Sequence, residues 1–346
     1  MKSDRSASVL AVLGAAHAVS DGSAGWLIAN CASRLSIAEV GTLTIIYNAF
    51  AFAVQPAVGL LLDRIRQPRR AMFVCLGLMG LAVLLADQPL VAVTLAGLAS
   101  AVFHVSAGTL AISLSHDRAA GLGVFVAPGV IGLAIGAALA TTGSGALVLV
   151  LLLIAIAASA GWLSRSITLG RSEPKVTVGV DRDSIVIVVL IAIAVRSAVW
   201  SAFDWVLAGN TSMLLAAALA AGIGKIVGGI LADRLGWRPW TIGSAAMAAV
   251  LLAIGPSSGG LFLIGLALLQ SITPVALAAT VQLLPDRSGL AAGLSLGLAI
   301  AVGGLLVFAG LGAYLASPLI SLILVAGSGV TLMWALNRNP VVGESV

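Results

Sequence analysis

Charge is scarce in this 346-residue chain: Asp, Glu, Lys and Arg together make up 9% of it, against about a quarter in soluble domains. Hydrophobic residues reach 60% and the mean hydropathy is +1.14, which excludes a water-soluble globular domain. Short segments of alternating hydrophobicity are missing too, so a membrane β-barrel is excluded. With only two cysteines, Cys31 and Cys75, no disulfide framework is indicated. Neither a His-Glu-x-x-His nor a Cys-pair metal pattern occurs. "GIGK" at 222–225 lacks the glycine spacing and the Ser or Thr of a phosphate loop, so ATP drive is not expected. The reading is a non-enzyme with no catalytic residue, cofactor or metal.

What is abundant is apolar sequence in runs of roughly 20 residues, the length of a membrane-spanning helix. Spans are expected at 8–30, 38–62, 71–87, 90–114, 120–141 and 145–164. After a polar stretch they resume at 184–207, 210–232, 240–255, 259–283, 289–315 and 319–337. The expected fold is thus an all-α membrane protein of twelve transmembrane helices in the lipid bilayer. A rival reading of the first span as a secretory signal, cleaved near Ala16-His17-Ala18, would leave eleven.

Lys and Arg are retained in cytoplasmic loops. With the N-terminus inside, fifteen of the eighteen basic residues fall on the cytoplasmic side and only Arg34 falls in an outer loop. Both termini are therefore expected in the cytoplasm, in a membrane of the bacterial inner-membrane type. The net charge of +5 is a topological signal and needs no nucleic-acid partner.

The sequence also repeats. Asp63-Arg64 and Asp233-Arg234 are 170 positions apart, and Asp117-Arg118 and Asp286-Arg287 are 169 apart. Two anchors agreeing within one residue imply a duplicated six-helix unit, with a six-helix bundle at 1–164, a cytoplasmic linker at 165–183 and a second bundle at 184–346. The two bundles are expected to be related by a pseudo-two-fold axis. Transporters are commonly built from such repeats, with the substrate site at their interface.

"GLLLDRIRQPRR" (59–70) and "GGILADRLGWRP" (228–239) resemble the Gly-x-x-x-Asp-Arg loop signature of the major facilitator superfamily. His17 and Asp21, "SAVFH" at 100–104 and "VQLLPDRSGLAAGLSLGLAIAVGG" at 281–304 are similar to the fosmidomycin-resistance branch of its drug exporters. The resemblance implies a monomeric proton-driven antiporter, and phosphonate-like drugs as candidate solutes.

The Asp-Arg loops have a physical reading of their own. Asp63 is expected to face the start of the eleventh span near Ser288 and Gly289, and Asp233 the start of the fifth near Ala119. Helix N-termini carry partial positive charge and unpaired N–H groups, so each contact would latch one half to the other. The conformational gate is accordingly read as Asp63, Arg64, Asp117, Arg118, Asp233, Arg234, Asp286 and Arg287. The alternative is a set of topological charge pairs with no dependence on state.

Ionisable groups inside spans are costly, about 3 kcal/mol or more, unless they face a cavity or a partner. The candidates for substrate and coupling are His17, Asp21, His104, Arg196 and Lys225. His17 and Asp21, four residues apart, share a helix face. Asp21 and Arg196 are expected at similar depth, with the carboxylate pairing to the guanidinium or taking a proton. His104 could equally be a core histidine bonded to a backbone carbonyl, and Lys225 could extend to the surface. The expected function is proton-coupled export of a small anionic, drug-like or metabolite solute by alternating access. An importer or facilitator, a non-transporting sensor and an intramembrane enzyme are the alternatives.

Overall fold

The computed structural model describes residues 2–116, 118–142, 145–164 and 182–338. Asp117 and most of the 165–183 linker lie outside the described residues. Twelve helical rods follow one another: α1 (Lys2–Ala32), α2 (Ile37–Ile65), α3 (Pro68–Leu84), α4 (Pro89–Ser115), α5 (Ala119–Ala140), α6 (Ala146–Ser164), α7 (Arg182–Val206), α8 (Thr211–Leu235), α9 (Trp237–Ile254), α10 (Gly260–Leu283), α11 (Ser288–Leu315) and α12 (Pro318–Arg338). They match the expected spans one for one. Among the described residues nine are long and apolar enough to cross a membrane. Two of the remaining three fall short for local reasons: His17, Ser20, Asp21 and Ser23 dilute α1, and α3 has only 17 residues; α6 is apolar over the stretch Ala146–Gly161.

Local chemistry sets many of the boundaries. α3, α4 and α12 each begin with proline, whose fixed φ and missing N–H suit a first helical position. Ser36 and Glu39 form a reciprocal capping box at the start of α2. The repeat shows at the ends of α2 and α8, where Arg66 (φ 57°) and Gly236 (φ 95°) both take positive φ. These positions are 170 apart, the same offset as the Asp-Arg pairs.

Packing between α1 and α5 depends on residues without side chains. A Cβ on Gly132 would meet the Ala18 carbonyl, and one on Gly136 the Gly22 carbonyl. In a bilayer, where lipid is as apolar as leucine, such close backbone approach is a main source of helix association. α5 also packs on α8, so it carries the join between the halves. Large side chains on the outer faces, Leu147, Leu151 and Ile154 of α6 and Leu319 and Ile323 of α12 among them, are exposed, as lipid contact requires.

Contacts between the halves gather toward the end that carries the Asp-Arg loops. On one seam Gly59 of α2 abuts Gly289 of α11; on the other Gly229 of α8 abuts Ala119 of α5. α2 and α11 are both interrupted by wide helical turns, at Ala49–Ala53 and Gly293–Leu298, and the two interruptions face each other. Such turns break the regular hydrogen-bond ladder and are frequent at functional sites.

Candidate functional site: a polar chamber between the two halves

A cavity of about 180 Å³ lies between the halves, with His17, Asp21 and His104 on one wall and Arg196, Lys225 and Gln270 on the other. All five residues expected from the sequence to be buried in the membrane thus line a single space.

The first wall is a three-residue cluster drawn from two helices. His17 Nε2 stands 3.0 Å from His104 Nε2 and 3.2 Å from Asp21 Oδ2, and His104 Nε2 stands 3.6 Å from Asp21 Oδ1. The outer nitrogens are tied down: His17 Nδ1 donates to the Phe125 carbonyl at 2.9 Å, and His104 Nδ1 to the Ser100 carbonyl at 2.8 Å. A carbonyl can only accept, so both Nδ1 atoms carry hydrogen and both Nε2 atoms of the neutral rings present lone pairs. Two lone pairs 3.0 Å apart beside a carboxylate repel unless a cation lies among them. Phe125, stacked on the His17 ring at 4.9 Å, closes one side, and Gly129 closes another. A Cβ on Gly129 would touch His17 and come within 2.8 Å of Asp21 Oδ2.

The second wall is cationic. Arg196 is 5% exposed and uses one nitrogen, Nη1, to bond Thr273 Oγ1 and, at 3.4 Å, the Leu269 carbonyl. Thr273 passes the bond on to Gln270 Oε1 at 3.0 Å. α10 breaks here between Ser271 and Thr273, which leaves last-turn carbonyls such as that of Leu269 available. No ion pair joins Asp21 to Arg196 among the described residues; the carboxylate faces the two histidines instead. Lys225 lines the chamber half-buried and has no hydrogen-bond or ion partner among the described residues. Its counterpart Gln55 is fully buried, with Nε2 on the Ala51 carbonyl at 2.6 Å and Oε1 unpartnered.

At the Asp-Arg end, Asp63 accepts from the Gly289 and Leu290 N–H groups at 2.7 and 2.9 Å. Asp233 accepts from Ala119 and Ala120 at 3.0 and 2.9 Å, and from Trp237 Nε1 at 2.9 Å. Each carboxylate therefore crosses from one half to a helix N-terminus of the other. Arg64, Arg118, Arg234, Asp286 and Arg287 are exposed and make no side-chain bond among the described residues.

Three chamber residues went unnoticed in the sequence: Thr273, which holds Arg196, Gln270, which holds Thr273, and Ser295, whose buried hydroxyl has no hydrogen-bond partner among the described residues. "QSITP" (270–274), a polar interruption ending in proline inside an apolar span, was the signal available.

The fold is similar to that of a solved transporter of the major facilitator superfamily. No family model and no curated protein sequence matches the chain. Among solved structures, a FucP transporter of the superfamily in its outward conformation superposes with a TM-score of 0.71 at 14% identity, covering 96% of this chain and 98% of that one. A variant of the E. coli fucose:proton symporter FucP gives 0.67 at 13% identity, with the same coverage. A bacterial homologue of the iron transporter ferroportin, outward-facing and soaked with iron, gives 0.63 at 15%, covering 94% and 98%.

Proposed function

We propose that this chain is a secondary transporter that carries a small anionic solute by alternating access. The observation that supports it most is the chamber: a small space between the halves, lined by cations of the second half and a cation-seeking cluster of the first. Among the described residues Arg196 and Lys225 have no acidic partner, so an anionic solute compensates them on binding. Asp63 and Asp233 act as the gate, holding the Asp-Arg end shut from opposite halves. With those loops in the cytoplasm, as the basic residues imply, this arrangement faces outward.

Transport is coupled to a cation at the His17–Asp21–His104 cluster. The sequence expectation is a proton, and the E. coli FucP structure that shares this fold is of a fucose:proton symporter. Export of phosphonate-like solutes rests on the motifs resembling the fosmidomycin-resistance branch.

Purified protein in liposomes, assayed with a panel of small phosphonates, phosphates and carboxylates under an imposed pH gradient, tests this reading. Accelerated passage of an unchanged solute, lost in Arg196→Ala, is the expected result, and loading either side reads the direction. Chemical conversion of a solute would support an intramembrane enzyme, and binding without flux a sensor.

A further inference from the structure

We infer that His17, Asp21 and His104 form a binding site for one divalent transition-metal ion, open toward the central chamber. The inference deepens the transport reading by naming the cation of the cluster, and ion binding itself stands on the geometry of the three side chains alone.

A shared proton would satisfy only the contact between the two histidines. It leaves Asp21 Oδ1, a buried oxygen, without a hydrogen-bond partner. One metal ion satisfies all three groups. Bonds of about 2.0 to 2.2 Å to imidazole nitrogen and carboxylate oxygen place neighbouring ligand atoms roughly 3.0 to 3.5 Å apart. The two Nε2 atoms are 3.0 Å apart, His17 Nε2 is 3.2 Å from Asp21 Oδ2 and His104 Nε2 is 3.6 Å from Asp21 Oδ1; with one ligand atom taken from each residue, all lie within 4.8 Å of one another.

The surroundings are those of ligands held ready. A metal-binding histidine usually donates its other ring N–H to a carbonyl or carboxylate, which fixes the tautomer and aims the lone pair. Both histidines do so here, through Phe125 and Ser100, and their Nε2 atoms stand 3.0 Å apart. Gly129 supplies the room that a Cβ would fill. Two imidazoles and one carboxylate suit the borderline ions, zinc, iron(II), cobalt and nickel, and leave coordination positions open. Those positions face the chamber, where an oxygen of the anionic solute can complete them opposite Arg196 and Lys225.

The sequence offers an internal control, because the chain has three histidines and the third, His116, is an exposed residue just beyond the end of α4. The experiment uses the full chain with its purification tag removed, stripped with chelator and titrated with Co²⁺ and Zn²⁺ by calorimetry and elemental analysis. X-ray absorption at the cobalt edge reads the ligands. One ion per chain with two imidazole ligands is expected, weakened at least tenfold in His17→Gln and in His104→Gln and unchanged in His116→Gln. Should either cluster variant fail to fold, the absorption spectrum of the unaltered protein still counts the imidazoles. No saturable binding, fewer than two imidazoles, or equal binding by all three variants would overturn the site. A stripped protein that binds neither ion yet moves anions under a pH gradient would overturn the metal and leave the transport reading standing.

Discussion

His17 Nε2 and His104 Nε2 face each other at 3.0 Å, although the residues are 87 positions apart on different helices. Each ring is locked from behind by a backbone carbonyl, and the Phe125 carbonyl that locks His17 lies one turn before Pro128 in α5. Pro128 has no N–H and disturbs the ladder in that turn. Three helices therefore meet at one point: α1 and α4 bring the rings, and α5 brings the carbonyl and the gap at Gly129.

That gap makes Gly129→Ala informative. The added methyl would push His17 and Asp21 apart while leaving the charged groups in place. Transport is expected to fall about tenfold or more, the usual scale for disturbing a supporting shell. A melting temperature lowered by only a few degrees alongside unchanged flux would show that the cluster tolerates the displacement.

Close approach of α1 and α5 predicts a contrast among glycines. Gly136→Leu forces a side chain into the Gly22 carbonyl, whereas Gly41 and Gly77 have nothing within 4 Å of a built Cβ. The first change is expected to cost about 1 to 3 kcal/mol or more through overpacking. Leucine at Gly41 or Gly77 should be neutral or slightly stabilising, because it removes a flexible residue from a helix. Thermal unfolding in detergent separates the two classes.

The cationic wall predicts a graded loss of affinity. Arg196→Ala removes a guanidinium with unused donors, and a lost hydrogen bond to a charged group costs about 1.5 to 3 kcal/mol, roughly ten- to hundredfold in Kd. Lys225→Ala is expected to cost less, since Lys225 presents a flexible point charge without the planar fork of arginine. Equilibrium binding of the best solute in the panel checks the order.

Topology is open to a simple assay. Cysteines placed at Gln67 and Ser288, on a background in which the native Cys31 and Cys75 are buried, should resist an impermeant thiol reagent added outside intact cells and react after lysis. Labelling of intact cells at either position would invert the orientation.

The helices and the contacts of Asp63 and Asp233 were legible because their signals are local or periodic. A 20-residue apolar run announces a helix wherever it packs, and two Asp-Arg pairs at the same offset announce a repeat. The Asp63 and Asp233 contacts then follow from helix-terminus electrostatics. The chamber was legible as a set of residues but not as a set of partners. His104 reaches His17 through the relative rotation of α1 and α4, which no spacing along the chain encodes. By the repeat Arg196 was expected at the depth of Asp21, with the carboxylate pairing to it or taking a proton. It is held instead by Thr273 and a carbonyl at the break in α10.

Rocking of the two halves about the chamber is tested most directly by measuring both ends of one seam together. Spin labels at Gln67 and Arg287 span α2 and α11 at the Asp-Arg end, and labels at Ile37 and Tyr314, both exposed, span the same helices at the other. Removing the latch charges in the Asp63→Asn, Asp233→Asn double variant costs about 1 to 2 kcal/mol, a shift of roughly five- to thirtyfold in the equilibrium. Electron-spin distance distributions should then lengthen at the first pair and shorten at the second. Distances that stay fixed, or that change in the same direction at both ends, would contradict alternating access in this protein.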